Sequence, residues 1–210
     1  KELAKAKVLH YTFDEFQEPT ENLFTVDNFL NSLSYHTVEN YDNVYPDKPI
    51  CRRLTRTSET NTYYNYSTNF PISGGKSYTF SFYMRLVSTT TEPNFIYAYM
   101  SDDVTASTSQ VTTGDLYLNY NWQRVELTID TEPTATSLDR IAFHTGASSI
   151  KLNTVFEIAN PQLEEKDHAT PFVNGTRTGS VTDNSGYDNH ADLALATTPQ
   201  WTEDSRIGKG

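Results

Sequence analysis

Alternation of apolar and polar residues along residues 78–86 is the feature that most constrains the fold of this chain. Apolar side chains occupy every second position there, namely Tyr78, Phe80, Phe82, Met84 and Leu86. Residues two apart point to the same face of a β-strand, so the segment predicts a strand with one buried face. The turn Gly74-Gly75-Lys76 precedes it and is typical of entry into a hairpin.

Several other segments have the length and residue types of strands. They are residues 95–100, 115–120, 123–129, 140–144 and 154–163, each bounded by Gly, Pro, Asp, Asn or Ser. No amphipathic helix pattern interrupts them between residues 22 and 172. The 14 Tyr and 11 Phe also suit pleated, half-buried surfaces. Together these observations predict an all-β chain that folds as an antiparallel β-sandwich.

Charge and cysteine content exclude some functions. A formal net charge of −11 repels a phosphate backbone, so nucleic-acid binding is not expected. The one basic cluster, Arg52, Arg53 and Arg56, is interpreted as a solvated strand edge. The single cysteine, Cys51, cannot form an intrachain disulfide and is expected to be a small buried hydrophobe. No apolar run has the length of a membrane span, and residues 1–9 do not read as a signal peptide.

Catalytic patterns are not evident in the sequence. The histidines share no local motif with serine or cysteine, and there is no phosphate loop or H-E-x-x-H motif. The acidic pairs Asp102-Asp103 and Glu164-Glu165 lie at strand ends, where neighbouring side chains point to opposite faces. We therefore interpret them as solvated termini rather than a paired-acid hydrolytic site, and the chain is not expected to be an enzyme.

Sugar binding needs exposed aromatic rings for stacking and polar side chains for hydroxyl groups. The densest supply lies in two neighbouring stretches, which gives the candidate sugar-binding residues Tyr63, Tyr64, Asn65, Tyr66, Tyr97 and Tyr99. In a strand Tyr64 and Tyr66 share one face and Tyr63 the other. The alternative interpretation is that these tyrosines pack the sandwich and expose only their hydroxyl groups.

Four segments, in order along the chain, resemble one family. The segments are residues 22–29 (NLFTVDNF), 75–85 (GKSYTFSFYMR), 121–125 (NWQRV) and 160–173 (NPQLEEKDHATPFV). They are similar to the corresponding strands of carbohydrate-binding-module-like jelly rolls, a galactose-binding-like fold common in bacteriophage tail and minor structural proteins. The resemblance implies a jelly roll over residues 21–173, with Trp122 in its core.

The family often holds a structural calcium ion near its first and last strands. Ala159 and Leu30 stand where the family has carboxylates, so a calcium site is disfavoured and no cofactor is expected.

The two ends of the chain are predicted to be separate from the jelly roll. Residues 1–20 read as a linker or the tail of a preceding module, and both ends read as cut from a longer protein. Residues 181–190 (VTDNSGYDNH), 199–201 (PQW) and 207–210 (IGKG) resemble the start of a laminin-G/concanavalin-like lectin domain. Residues 174–210 are thus expected to be a linker and the incomplete start of that domain.

The resemblance implies a non-catalytic virion module of a phage tail or fibre, structural with possible carbohydrate recognition on the host surface. Such a chain would be assembled in the host cytoplasm and act extracellularly, with other virion chains as partners, as a homo-oligomer and without membrane insertion. A purely structural appendage domain remains open. The alternative is an accessory carbohydrate-binding domain of a secreted polysaccharide-degrading enzyme.

Overall fold

The computed structural model describes residues 18–24, 30, 35–58, 62–67, 69–91, 94–104, 110–145, 150–181 and 191–193. Residues 62–67, 110, 144–145, 179–181 and 191–193 are described by their backbone alone. Within these ranges no helix is long and apolar enough to cross a membrane. The chain divides into two compact units, one of residues 22–174 and one of residues 1–21 with 175–210.

Fifteen strands form the described secondary structure. They are β1 (Thr20–Glu21), β2 (His36–Asn40), β3 (Cys51–Arg56), β4 (Thr62–Ser67), β5 (Phe70–Pro71), β6 (Ser77–Ser88), β7 (Phe95–Asp102), β8 (Gln110–Thr112), β9 (Leu116–Tyr117), β10 (Gln123–Asp130), β11 (Ser137–Thr145), β12 (Val155–Glu164), β13 (Thr176–Arg177), β14 (Gly179–Val181) and β15 (Ala191–Leu193).

The larger unit is a sandwich of two antiparallel sheets. One is a five-stranded sheet in the order β10-β6-β12-β3-β2. The other is a six-stranded sheet in the order β4-β11-β7-β8, with β5 added along β11 and β9 along β7. The prediction of an all-β antiparallel β-sandwich is confirmed.

The core lies between the two sheets and is built from alternate residues of their strands. From β6 it takes the five residues of the predicted apolar face, all at most 1% exposed. Phe82 meets Phe143 of β11 edge-to-face at 4.8 Å between ring centroids, and Phe80 lies 5.3 Å from Phe82. Complete burial of each ring contributes about 1.5–3 kcal/mol, so this contact between the sheets is a major source of stability.

Apart from residues 115–120, each predicted strand overlaps an observed one, with ends that differ by up to three residues, as at the start of β11. Of residues 115–120, only Leu116 and Tyr117 form a strand. The chain then turns, because Leu118 donates its backbone N–H to Asn94 at 2.8 Å and Asn119 accepts from Leu86 at 2.6 Å. The aromatic residues of this stretch predicted a strand, but beyond Tyr117 its backbone bonds to Asn94, which precedes β7, and to Leu86 of β6.

The glycine turn before β6 does not make the predicted hairpin. β5 pairs with β11 of the six-stranded sheet, whereas β6 pairs with β10 and β12 of the five-stranded sheet. The turn therefore carries the chain from one sheet to the other. Gly74 is required there because a Cβ would lie 2.6–2.7 Å from three carbonyl oxygens, and Gly75 has φ 72°.

Asn22 holds together the two ends of the larger unit. Its side-chain Nδ2 donates to the carbonyls of Pro161 at 3.1 Å and Val173 at 3.2 Å. Its Oδ1 accepts from the backbone N–H groups of Phe24 and Leu163, both at 3.1 Å. The buried amide is therefore fully hydrogen-bonded and fixes the entry and exit of the chain side by side.

The smaller unit contains two short antiparallel pairs, β1 with β13 and β14 with β15. Arg177 donates from Nε to the carbonyl of Glu18 at 3.0 Å. Residues 1–17, 182–190 and 194–210 lie outside the described residues. Most of the segment that resembles a laminin-G-like domain is among them, and that resemblance remains a prediction.

Candidate functional site

The outer face of the five-stranded sheet, opposite the core, carries a cluster of charged and aromatic side chains. Alternation along the strands places them there, since Leu54, Met84 and Ile158 point into the core and their chain neighbours point outward. We call this group the Glu157 cluster. Its members are Tyr41, Tyr45, Lys48, Arg53, Tyr83, Arg85, Trp122 and Glu157.

Glu157 is the centre of the cluster and is fully buried. Arg53 and Arg85 stand opposite it on the two flanking strands. Glu157 Oε1 accepts from Arg53 Nε at 2.9 Å and Nη2 at 2.6 Å, and Oε2 accepts from Arg85 Nε at 2.7 Å. The Tyr45 hydroxyl donates to Oε1 at 3.0 Å. A buried carboxylate with these partners is satisfied, and it fixes both guanidinium groups.

The loop of residues 41–50 lies over Glu157 and closes it from solvent. Tyr45 is anchored by Glu157 and by Arg85 Nη2, which donates to its hydroxyl at 2.6 Å. Asn160 Nδ2 donates to the carbonyl of Asp47 at 3.1 Å and ties the loop to β12. Burial raises the pKa of Tyr45, and the hydrogen bond to Glu157 raises it further.

Arg53 belongs to the same anchor. Burial acts to lower the pKa of Arg53, but the hydrogen bond to Glu157 and its negative charge outweigh this, so the pKa lies above its ordinary value. The guanidinium group also stacks on the Tyr41 ring, with Cζ 3.8 Å from the centroid. The loop is therefore held at Tyr41 and at Tyr45 by the same arginine–glutamate pair.

Trp122 is half-buried and lies next to the cluster rather than in the core. Tyr45 meets it edge-on at 5.6 Å between ring centroids, and Arg85 Cζ lies 4.7 Å from the Trp122 ring. Lys48 Nζ lies 4.2 Å from the Tyr83 centroid and 5.7 Å from that of Trp122. The expectation that Trp122 packs in the core was wrong, because it precedes the first core residue of β10 and falls on the outward alternation.

The segment after β12, residues 165–173, folds back along the other side of this face. Thr170 donates from Oγ1 to Glu164 at 2.6 Å, and its carbonyl accepts from Gln162 Nε2 at 3.2 Å. Arg124 donates from Nη2 to the same carbonyl and lies over Tyr83, with Cζ 5.8 Å from the ring centroid. Tyr83 and Arg85 thus lie between the loop 41–50 and this return segment.

The acidic pairs are only partly the solvated termini that we expected. Glu165 and Asp103 are exposed, but Glu164 is fully buried and Asp102 is 1% exposed. Glu164 accepts from Thr170, and Asp102 accepts from the backbone of Val104 and Glu132. Both buried carboxylates are engaged in closing turns.

The arginines of β3 correct another expectation. Arg52 is 6% exposed and Arg56 is fully buried, whereas Arg53 is half-buried in the Glu157 cluster. Arg52 forms an ion pair with Asp42. The solvated-edge interpretation was wrong because β2 pairs outside β3 and the loop 41–50 covers it.

Two exposed tyrosines precede Trp122 in the chain, Tyr117 at the end of β9 and Tyr120 in the turn that leads to Trp122. Tyr117 is 55% exposed and Tyr120 is 59% exposed, and Asn119 and Asn121 beside them are also exposed. Rings and amides on one turn supply the two kinds of contact that a sugar uses.

The sequence-predicted residues lie in the six-stranded sheet. Tyr63 is in register with His144 and Tyr97, and Asn65 with Ala142 and Tyr99. These rows alternate with the core rows of β7, so their positions belong to the face opposite the core. Tyr97 is half-buried and Tyr99 is 6% exposed.

Tyr64 and Tyr66 fall elsewhere in that sheet. Tyr64 is in register with Phe143, which packs in the core, and Tyr66 lies at the bulge where β4 shifts against Ile141. The side chains of residues 63–66 lie outside what the structure describes. The assignment of a sugar site to them therefore remains a prediction.

Among the described residues no group of three or more His, Cys, Asp or Glu side chains is placed to hold an ion. At the position where the family has a carboxylate, Ala159 is fully buried. Its neighbour Asn160 uses its Oδ1 to accept from Ile50 at 3.2 Å.

No model of a known protein family matches the sequence, and no curated protein matches it. Similar solved structures include a family 16 carbohydrate-binding module, at 12% identity and TM-score 0.44, over 66% of this chain and 94% of that one. The CBM22-1 xylan-binding domain of Paenibacillus barcinonensis Xyn10C is 9% identical, with TM-score 0.45, over 73% of this chain and 99% of that one.

A third neighbour is the CBM22-1–GH10 modules of Clostridium thermocellum xylanase 10B, complexed with xylohexaose. It is 13% identical, with TM-score 0.45, over 72% of this chain and 29% of that one.

Proposed function

We propose that this chain is a non-catalytic carbohydrate-binding module and that sugar binds on the outer face of the five-stranded sheet. The observation that carries the proposal is the placement of half-buried Trp122 and Tyr83 beside Arg85, whose orientation is fixed by buried Glu157. Aromatic rings supply a stacking surface, and the guanidinium group supplies donors for sugar oxygens.

Rigidity of this face favours binding. Arg85 makes two hydrogen bonds that hold it in place, to Glu157 and to Tyr45, so little side-chain freedom remains to be lost when a ligand arrives. The exposed ring of Tyr120 lies two residues before Trp122 and is a further candidate for stacking. A glycan chain has several sugar units, and it can use such a series of separate contacts.

Scaffolding is the second candidate function, and one specific observation favours it. The rings of Tyr83 and Trp122 already have cations over them, and Tyr45 is hydrogen-bonded inside the cluster. These contacts pin the loop 41–50 to the sheet, and this role needs no ligand. The two candidates differ in whether the remaining exposed surface of Trp122 contacts sugar.

Two biological settings were predicted from the sequence, a virion appendage and an accessory domain of a secreted polysaccharide-degrading enzyme. Extracellular action on a glycan is part of the proposal in either setting. Virion partners and a homo-oligomer remain predictions.

A glycan-array screen of the full chain tests the proposal, followed by titration of the strongest hit against Trp122→Ala and Tyr97→Ala. We expect Trp122→Ala to lose at least about ten-fold in affinity, or about 1.4 kcal/mol, and Tyr97→Ala to retain it. The reverse result would move the site to the predicted residues of the six-stranded sheet. No binding by a chain with an intact thermal transition would support the scaffold.

A further inference from the structure

Hydrogen-bond donors exceed free acceptors on the proposed face. Glu157 and the Tyr45 hydroxyl are already occupied by the donors of Arg53 and Arg85. In the described part of the chain, Arg85 Nη1 and the indole N–H of Trp122 have no hydrogen-bond acceptor, although each belongs to a partly exposed residue. A ligand on this face must therefore supply acceptor oxygens.

Positive charge is also in excess at the centre of the face. Arg53 and Arg85 share one buried carboxylate, Glu157. Lys48 has its own partner in Asp47, 2.6 Å from Nζ and 75% exposed, so the excess is the one arginine charge that Glu157 leaves uncompensated. The hydrogen bond from Lys48 lowers the pKa of Asp47.

The remaining charges on this face do not cancel that excess at Trp122. Arg124 lies 3.0 Å from Glu126, and the two form a balanced pair. Glu39 is in register with Arg53 on edge strand β2, three strands from Arg85. That separation is about 14 Å along the sheet, longer than the screening length of about 8 Å at physiological salt.

We infer that this face selects acidic glycans, in which the sugar carries a carboxylate or a sulfate, over neutral ones. This inference rests on the proposed function and specifies its ligand class. The anionic group accepts from Arg85 and from the Trp122 indole N–H, while Lys48, which is buried over the Tyr83 ring, contributes charge without direct contact. The preference is local, because the chain as a whole has a net charge of −11 and would repel an acidic polymer elsewhere.

An array separates the ligand classes. The full chain is applied to neutral polysaccharides (xylan, cellulose, galactan), uronates (polygalacturonate, alginate, hyaluronan) and sulfated polysaccharides (carrageenan, heparan sulfate). The strongest acidic hit is then compared with its own carboxyl-reduced or desulfated form, which keeps the sugar linkages and removes the charge. We expect an affinity at least about ten-fold higher for the acidic form, corresponding to about 1.4 kcal/mol.

Matched variants assign the preference to this face. Lys48→Gln and Arg85→Gln should each lose at least about five-fold in affinity for the acidic form, or about 1 kcal/mol, and much less for its neutral counterpart. Arg85→Lys retains the charge and should lose less than Arg85→Gln. Lys76→Gln removes one positive charge from an exposed side chain at the far end of β6 and should change neither affinity.

Each outcome decides between the two claims. Equal affinity for the charged and neutralised polymers, hits confined to neutral glycans, or an equal loss in Lys76→Gln would overturn the acidic preference and leave carbohydrate binding intact. No hit on any polysaccharide by the folded chain would overturn the proposed function as well. Preference for a sulfated over a carboxylated hit would identify which anion the face accepts.

Discussion

Replacement of Glu157 by glutamine tests whether one buried carboxylate holds the outer face together. The change keeps the shape of the side chain and removes its charge. Two arginines and a tyrosine donate four hydrogen bonds to that carboxylate, at 2.6–3.0 Å. Charge-assisted hydrogen bonds contribute about 1.5–3 kcal/mol each, so a simple sum gives about 6–12 kcal/mol.

That sum is too large for two physical reasons. The side chains of Arg53 and Arg85 are 23% and 24% exposed, so water can partly replace the lost carboxylate. Glutamine also keeps one acceptor oxygen. Breaking a fully buried ion pair costs about 3–5 kcal/mol, and we expect the lower end of that range here, about 3 kcal/mol.

Urea denaturation followed by intrinsic fluorescence measures the change, since Trp122 reports on the cluster. With a slope of about 2 kcal/mol per molar, a loss of 3 kcal/mol lowers the midpoint by about 1.5 M. Glu126→Gln is the control, because Glu126 is half-exposed in its pair with Arg124 and should change stability by less than about 1 kcal/mol.

A loss below about 1 kcal/mol in Glu157→Gln would refute the reasoning, because it would mean that the buried carboxylate does not anchor the loop. A double-mutant cycle with Tyr45→Phe isolates the contact between loop and sheet. We expect a coupling energy of about 0.5–1.5 kcal/mol. Independent effects of the two changes would show that the hydroxyl contributes nothing through Glu157.

Three further predictions concern the core and the titrating groups. Phe82→Ala should lower the free energy of unfolding by about 3–5 kcal/mol in the same assay. The control Val44→Ala, which shortens an exposed side chain, should change it by less than about 0.5 kcal/mol. Similar losses in the two variants would place Phe82 outside the core. Burial raises the pKa of the Cys51 thiol from 9.0 to about 12, so its contribution to stability is present below pH 9 and declines between pH 9 and pH 12. Iodoacetamide should label Cys51 only on unfolding, and rapid labelling of native protein would contradict this. Hydrogen bonds from Thr136 hold the pKa of Asp103 at about 2 instead of 3.8, so its contribution to the free energy of unfolding is present above pH 3.8 and is lost as pH falls through 2. Asp103→Asn should therefore weaken the dependence of that free energy on pH in the acid range, measured by urea titration. An unchanged dependence on pH would contradict the prediction.

The sandwich could be predicted from the sequence because its signal is local. Alternation along β6 predicted both the strand and its buried face, and the outward positions of Tyr83 and Arg85 follow from the same alternation. Strand β3 was harder to interpret because three of its six residues are arginine. A charge pattern alone does not distinguish a solvated edge from a strand covered by a loop.

The Glu157 cluster could not be predicted in the same way because its contacts are distant in sequence. Arg53 and Glu157 are 104 residues apart, and Tyr45 and Glu157 are 112 apart. The pairing depends on the strand order β6-β12-β3, in which non-consecutive strands become neighbours. The density of tyrosines predicted a sugar site at residues 63–66, but density does not indicate which face of a sheet a ring occupies.

The hydrogen bonds of Asn22 have a mechanical consequence. Because entry and exit of the larger unit meet at one side chain, a host protein could accept the unit within a surface loop without forcing apart the two ends of that loop. Tension applied to the flanking chain would act first on the pairing of β1 with β13 and then on the Asn22 bonds and the Leu23–Leu163 backbone bond at 2.8 Å. The strands of the sandwich would bear no load until these contacts opened, so the outer face of the five-stranded sheet would keep its geometry under tension.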